Sequence, residues 1–231
     1  MEQLPLGVRL RAASTFASFH PGGNAALLAA LEARAGAERL PPLWLWSAPG
    51  AGRTHLLQAS CARTAERGRR AGFLPLGADW LAPAMLAGLE ELDLLCIDDL
   101  QAIAGEPQWE RALFVLYNEF AERGGNLVLT ASAAPAALPW GLADLASRLG
   151  ASIVWQVRPL PEAEQPTALR ARAAALGVEL PDETLHYLLR RLPRDLAALC
   201  AALDRLDAAA LARQRRLTVP FARAVLELRD G

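Results

Sequence analysis

Lysine is absent from this 231-residue chain, so all 24 of its basic residues are arginine, and asparagine and isoleucine occur only three times each. An arginine where a motif ordinarily carries lysine therefore reflects composition as well as chemistry. Cysteine is scarce: Cys61, Cys96 and Cys200 lie far apart, with no Cys-x-x-Cys pair and no histidine at ligand spacing. That pattern excludes a disulfide framework and a zinc site, and reads as small apolar residues of a reducing compartment. No window approaches the roughly 18 apolar residues of a membrane span. The opening Met1-Glu-Gln-Leu-Pro-Leu-Gly-Val-Arg9 lacks a basic segment followed by an apolar one. A cytoplasmic protein without a membrane partner is expected. A charge excess of one sign is also missing, since 24 Arg oppose 25 Asp+Glu for a formal net charge of -1. Bulk electrostatic attraction to nucleic acid is thereby excluded.

What is present is a large apolar fraction, 53%, with 21% charged residues and a mean hydropathy of +0.16. This balance belongs to a globular protein, and a chain of this length buries a core without cross-links. Residues 1 to 15 carry no clear period and read as an N-terminal tail, with the globular part starting near Phe16. Leu27, Leu28 and Leu31 follow the Pro21-Gly22-Gly23 breaker at helical spacing and predict a helix over Asn24 to Arg34. Leu43 to Trp46 has the length and composition of a strand, and a helical stretch follows from Arg53 to about Arg67.

Further on, the pattern predicts a weak strand over Phe73 to Leu76, a helix over Asp79 to Leu89 and a buried strand over Leu92 to Ile97. A long amphipathic helix over Gln108 to Arg123 comes next, then strands at Asn126 to Thr130 and Ser152 to Val157 around a short helix at Leu142 to Leu149. Alternating strands and helices give an α/β fold, a parallel sheet with helices on both faces. After Pro159-Leu-Pro161 only helices are expected, over about 162 to 176, 182 to 191, 194 to 212 and 218 to 228. Three regions result: a tail at 1–15, an α/β domain at 16–160 and a small helical domain at 161–231.

Two constellations carry chemistry. Ser47-Ala-Pro49-Gly50-Ala51-Gly52-Arg53-Thr54 nearly fits G-x-x-x-x-G-K-[ST], with Ser for the first Gly and Arg for the Lys. Between a strand and a helix, its glycines let backbone N–H groups turn inward, and the helix N-terminus favours an anion. Thr54 would supply a hydroxyl to Mg²⁺. A Pro-Gly turn ahead of an ordinary helix would look similar. Leu94-Leu-Cys-Ile-Asp98-Asp99 is an apolar strand ending in two acids; one would hold Mg²⁺ and the other polarise an attacking water. Alone, such a pair could equally cap the next helix. Both motifs in order, each at the C-terminal end of a strand, point to a nucleotide site.

With these residues the chain resembles the AAA+ proteins related to the bacterial replication initiator DnaA, and among them the shorter Hda-type regulators that inactivate that initiator. The resemblance spans essentially the whole chain. It is carried also by Thr15-Phe16-Ala-Ser-Phe19-His-Pro-Gly22-Gly23-Asn24, Asp98-Asp99-Leu-Gln101, Leu142-Ala-Asp-Leu-Ala-Ser147-Arg148-Leu149 and Leu217-Thr-Val-Pro-Phe221. It implies a P-loop AAA+ sheet domain followed by an all-helical lid, and a nucleotide, ADP or ATP, bound with Mg²⁺. Asn24, Pro49, Gly50, Ala51, Gly52, Arg53, Thr54 and His55 would hold the nucleotide, Thr54 and Asp98 the metal, and Asp99 would serve catalysis. Arg148 matches an arginine finger, which completes a neighbour's site in trans. Gln3-Leu4-Pro5-Leu6 resembles the short motif by which such regulators dock on the DNA polymerase III sliding clamp. A tail that orders on binding suits that use.

The chain also departs from the family. The polar sensor after the acidic strand falls on Ser132, and the lid arginine that senses phosphate falls on Ala197, with Arg194 one turn earlier as a substitute. Arg53 puts a planar fork where a compact ammonium is usual, although Hda-type proteins tend to carry arginine there. These departures imply weak hydrolysis by the protein itself and a resting nucleotide, ADP in preference to ATP. The initiator's DNA-binding domain would begin where this sequence stops, so no direct sequence-specific DNA binding is expected. DnaA and the clamp are the expected partners, and a homo-oligomer is compatible with the fold. Two other readings share these features: an AAA+ ATPase acting as a helicase loader, and a nucleotide-free adaptor between clamp and DnaA.

Overall fold

The computed structural model describes residues 14–36, 39–193 and 195–227. Five strands, β1 (Leu43–Trp46), β2 (Ala71–Pro75), β3 (Leu94–Asp98), β4 (Asn126–Ala131) and β5 (Ile153–Gln156), form one sheet in the order β2-β3-β4-β1-β5. Every pairing is parallel. Strands buried on both faces read as unbroken apolar runs, which is why β1, β3 and β4 are plain in the sequence. Alternate residues of β3 serve opposite layers. Leu94 and Cys96 pack with Leu27 and Leu31 of α1 (Ala25–Arg34) and Leu56 and Leu57 of α2 (Arg53–Glu66). Leu95 and Ile97 pack with Leu113, Leu116 and Phe120 of α3 (Pro107–Arg123) and Leu145 and Leu149 of α4 (Ala143–Gly150).

The segment from Asp79 to Leu89 is not the continuous helix that its pattern predicts. It forms two 3-10 turns, Pro83–Leu86 and Leu89–Glu91. Pro83 holds Ala82 extended at φ -133 and ψ 150, because the proline ring clashes with a helical residue before it. Gly88, at φ +87, then leaves the right-handed helical region ahead of the second turn. Strand β2 begins two residues earlier than expected and ends at Pro75, which pairs with Asp98 in register. A proline is tolerated there because β2 is an edge strand. The opposite edge, β5, leaves Ile153 and Val154 exposed.

Beyond β5 the chain is helical: α5 (Gln165–Leu176), α6 (Asp182–Arg191), α7 (Leu196–Arg213) and α8 (Val219–Leu226). Leu169, Leu185, Leu188, Leu199, Leu203 and Leu206 form their core. Asp195 caps α7, accepting from the Ala197 and Ala198 N–H groups, and Thr218 caps α8 through Phe221 N–H. Arg172 of α5 donates to both carboxylate oxygens of Asp204 on α7 at 2.8 Å, tying the two helices together. No helix among the described residues is long and apolar enough to cross a membrane.

Candidate functional site

Strands β1, β3 and β4 end side by side, so the loop after β1, the acids after β3 and Thr130 of β4 converge. Gly50 (φ +88) and Gly52 (φ +93) adopt conformations that an L side chain resists, and they turn the Ser47–Thr54 loop back on itself. Thr54, the second residue of α2, donates its hydroxyl to Asp98 Oδ2 at 2.6 Å. Thr130 donates its hydroxyl to the other oxygen, Oδ1. Asp98 is only 2% exposed. Burial raises its pKa, opposed by the two hydroxyl donors.

Arg53 turns its guanidinium back onto its own loop. Nη1 donates to the Ser47 carbonyl and Nη2 reaches Asp99 Oδ1 at 3.3 Å. Asp99 itself sits at φ 60, a left-handed conformation that aspartate tolerates better than most residues. Gln101 links this acid to the end of β4: its Nε2 donates to Asp99 Oδ1 at 2.9 Å, and its Oε1 accepts from Ser132 N–H at 3.0 Å. Ser132 is exposed just past the end of β4.

A cleft of about 310 Å³ runs from this loop to the helical lid, with Ser18, Phe19 and Asn24 at one wall and Arg172, Ala197 and Cys200 at another. The volume is that of a small-molecule site. Phe19 covers the loop so closely that a Cβ at Gly52 would lie 2.8 Å from its ring. His55 packs 5.4 Å from the Phe19 ring and donates from Nε2 to the Thr15 carbonyl at 2.8 Å. Burial lowers the His55 pKa, and the Thr15 bond opposes that shift. Asn24 is fully engaged with the backbone of Arg158, accepting from its N–H at 2.8 Å and donating to its carbonyl at 2.9 Å. It thus fixes the cleft wall. Hard oxygen donors from Thr54 and Asp98 suit Mg²⁺, and the glycine cradle suits a phosphate.

Comparison with known proteins bears on the fold. A model of the Hda lid domain matches residues 162–226, and a model of the bacterial DnaA ATPase domain matches residues 79–156. Domain III of the replication initiation protein DnaA from Thermotoga maritima superposes with a TM-score of 0.75 at 25% identity, over 95% of this chain and 98% of that one. The chain is an Hda-type, DnaA-related AAA+ protein. AMPPCP-bound DnaA from Aquifex aeolicus shares the fold at 19% identity and a TM-score of 0.68, covering 90% of this chain and 71% of that one. The RuvB Holliday junction branch migration motor of Thermotoga maritima does so at 18% and 0.58, covering 87% and 66%.

In this AAA+ chain Arg148 stands apart from the cleft, exposed on α4. Its guanidinium lies over the Phe114 ring, 5.1 Å from the centroid, and its carbonyl accepts from Tyr117 Oη at 3.2 Å. Glu110, one turn before Phe114 and nearly fully buried, accepts from the Gly141 and Leu142 N–H groups at the entry to α4. Residues 110, 114 and 117 share one face of α3. Ala197 lines the cleft at the start of α7. Arg194, Gln3, Leu4 and Leu6 lie outside the described residues. Thr130, Gln101, Glu110 and Arg172 were not singled out by the sequence, because each acts through a contact distant in the chain. The one available signal is that Gln101 falls inside the Asp98–Gln101 stretch and that Thr130 ends a predicted strand.

Proposed function

We propose that this protein is a cytoplasmic negative regulator of replication initiation. Bound to ADP and docked on the sliding clamp, it stimulates hydrolysis of the ATP held by DnaA. The observation that carries this reading is Arg148: an exposed guanidinium outside the protein's own cleft, on a short helix that α3 grips at both ends. A guanidinium so presented can reach a phosphate on another molecule and offset the charge that develops in transfer. The protein's own loop cation is engaged instead, since Arg53 is bonded to Ser47 and Asp99. That arrangement suits retention of a nucleotide better than its turnover.

Gly50 to Thr54 would cradle the phosphates, and Thr54 with Asp98 would hold Mg²⁺, which screens phosphate charge when bound. AMPPCP in the related Aquifex DnaA supports an adenine nucleotide as the ligand. Gln3, Leu4 and Leu6 would dock the clamp. The test measures DnaA ATP hydrolysis with clamp-loaded DNA and either the native protein or Arg148→Ala. Loss of stimulation by about 10³-fold or more, on the order of an arginine-finger contribution, with ADP binding intact, is the expected result. Unchanged stimulation would refute the reading. Rapid ATP turnover by the isolated protein would favour a loader-type ATPase instead.

A further inference from the structure

Several polar side chains in the cleft wall are already bonded within the protein. Arg53 is held by Ser47 and Asp99, Thr54 by Asp98, and Arg172 by both carboxylate oxygens of Asp204. Asn24 spends its amide on the backbone of Arg158. Gln58 differs from these. It lines the same cleft and is only 5% exposed, yet its Oε1 is enclosed with no hydrogen-bond partner among the described residues. A buried acceptor left without a donor costs stability, so a native protein that keeps one has a use for it. Gln58 stands on α2 four residues after Thr54, on the same face of the helix and about 6 Å further along its axis. It therefore lies beyond the Gly50–Thr54 cradle and faces a part of the ligand other than its phosphates.

From this orphaned amide we infer that Gln58 is a specificity-determining residue that reads the base of the nucleotide and selects adenine over guanine. The inference rests on the nucleotide reading above. A carboxamide carries an acceptor oxygen beside an N–H donor group. The adenine edge with N6 and N7 presents the matching donor beside an acceptor, so one glutamine makes two bonds to it. Guanine places O6 and N7 on that edge, two acceptors, and gives Oε1 no donor. A site built to bond a donor rejects the ligand that lacks it, because its own buried group is then left unpaired. Asn24, the other carboxamide of the wall, has both of its groups committed to Arg158 and is not available for this role.

The test titrates Mg²⁺–ADP and Mg²⁺–GDP calorimetrically into the native protein, Gln58→Leu and Gln58→Met, and melts all three without nucleotide. Both replacements keep a helix-forming apolar side chain of similar size and remove the amide. The native protein is expected to bind ADP about tenfold or more tightly than GDP, the discrimination of a bidentate amide–base pair. Each variant is expected to lose about tenfold in ADP affinity, with GDP affinity unchanged, so that the preference disappears. Ligand-free, both should melt no lower than the native protein, since they remove a buried group that has no partner. Equal native affinity for ADP and GDP would overturn the assignment, as would a preference that survives in both variants. Lower melting of both ligand-free variants would also overturn it, by showing that the amide serves the fold. Absence of ADP binding by the native protein would instead overturn the nucleotide reading on which it rests.

Discussion

The guanidinium of Arg148 rests on the ring of Phe114, 5.1 Å from its centroid. The contact joins the exposed end of α4 to a long helix rooted in the sheet, and it narrows the directions in which an otherwise free side chain points. An exposed cation–π contact contributes about 0.5–1 kcal/mol. Phe114→Leu, which keeps apolar bulk but removes the ring, is therefore expected to lower stimulation of DnaA hydrolysis severalfold while melting within a few degrees of native. Phe114→Trp should restore it. Equal activity of the Leu and Trp variants would show that the ring plays no part in presenting Arg148.

Asp98 offers a prediction with a defined sign. Its pKa is raised by burial, so the folded protein holds this proton more tightly than the unfolded chain does. The stabilisation is fully present below the ordinary carboxylate pKa of 3.8 and is lost as pH rises through the elevated folded value. Asp98→Asn, uncharged throughout, should gain on the native protein across that window. At neutral pH, without Mg²⁺ or nucleotide, it should be the more stable of the two. Added Mg²⁺ and ADP should reverse the order. Thermal melts of both proteins from pH 3 to 8 would test this; a difference independent of pH would count against it.

Much of this arrangement is legible in the chain because parallel strands and phosphate loops leave local marks. Leu43 to Trp46 and Leu94 to Asp98 are apolar runs flanked by turn residues, and the Gly50 and Gly52 spacing announces its own backbone geometry. The Asp79–Leu89 segment misleads because its apolar spacing is helical while Pro83 keeps Ala82 out of the helical region and Gly88 takes a left-handed φ. Contacts between remote positions leave no such mark. Thr130 hydroxyl meeting Asp98, Gln101 meeting Ser132 and Asp195 meeting Gly50 depend on strand register and on how the lid closes. None of these follows from periodicity.

Glu110 is an acceptor without a substitute. Its carboxylate takes N–H bonds from Gly105 at 2.7 Å, Gly141 at 3.0 Å and Leu142 at 2.7 Å, in a place only 1% exposed. Removing it leaves three amides without this acceptor; Gly105 and Gly141 are exposed, so water takes over part of the role, and the loss lies below the upper end of the about 1–3 kcal/mol of a buried unsatisfied group. Glu110→Ala is expected to cost about 2 kcal/mol and to loosen the entry to α4. Glu110→Gln keeps one carbonyl acceptor and should lose about half as much. Chemical denaturation of the two variants would measure this, with faster amide exchange at Gly141 and Leu142 as the local sign. Equal losses would mean that cavity formation, and not hydrogen bonding, sets the cost.

The Arg172–Asp204 pair tests how the lid is held together. Arg172 is 7% exposed at its side chain and Asp204 is 28%, so the pair is screened on one side only. Breaking a fully buried pair by removing one partner typically costs 3–5 kcal/mol, because the remaining charge is left without its counterion. Partial exposure of Asp204 lets water take over some of that role, and Arg172→Ala should therefore cost about 2 kcal/mol. Asp204→Asn strands the more deeply buried charge and should cost at least as much. Replacing both, Arg172→Met with Asp204→Leu, should recover most of the loss, since an apolar pair of similar volume incurs no ionic desolvation. A double variant no more stable than either single one would show that the geometry of the guanidinium, and not its charge balance, joins α5 to α7.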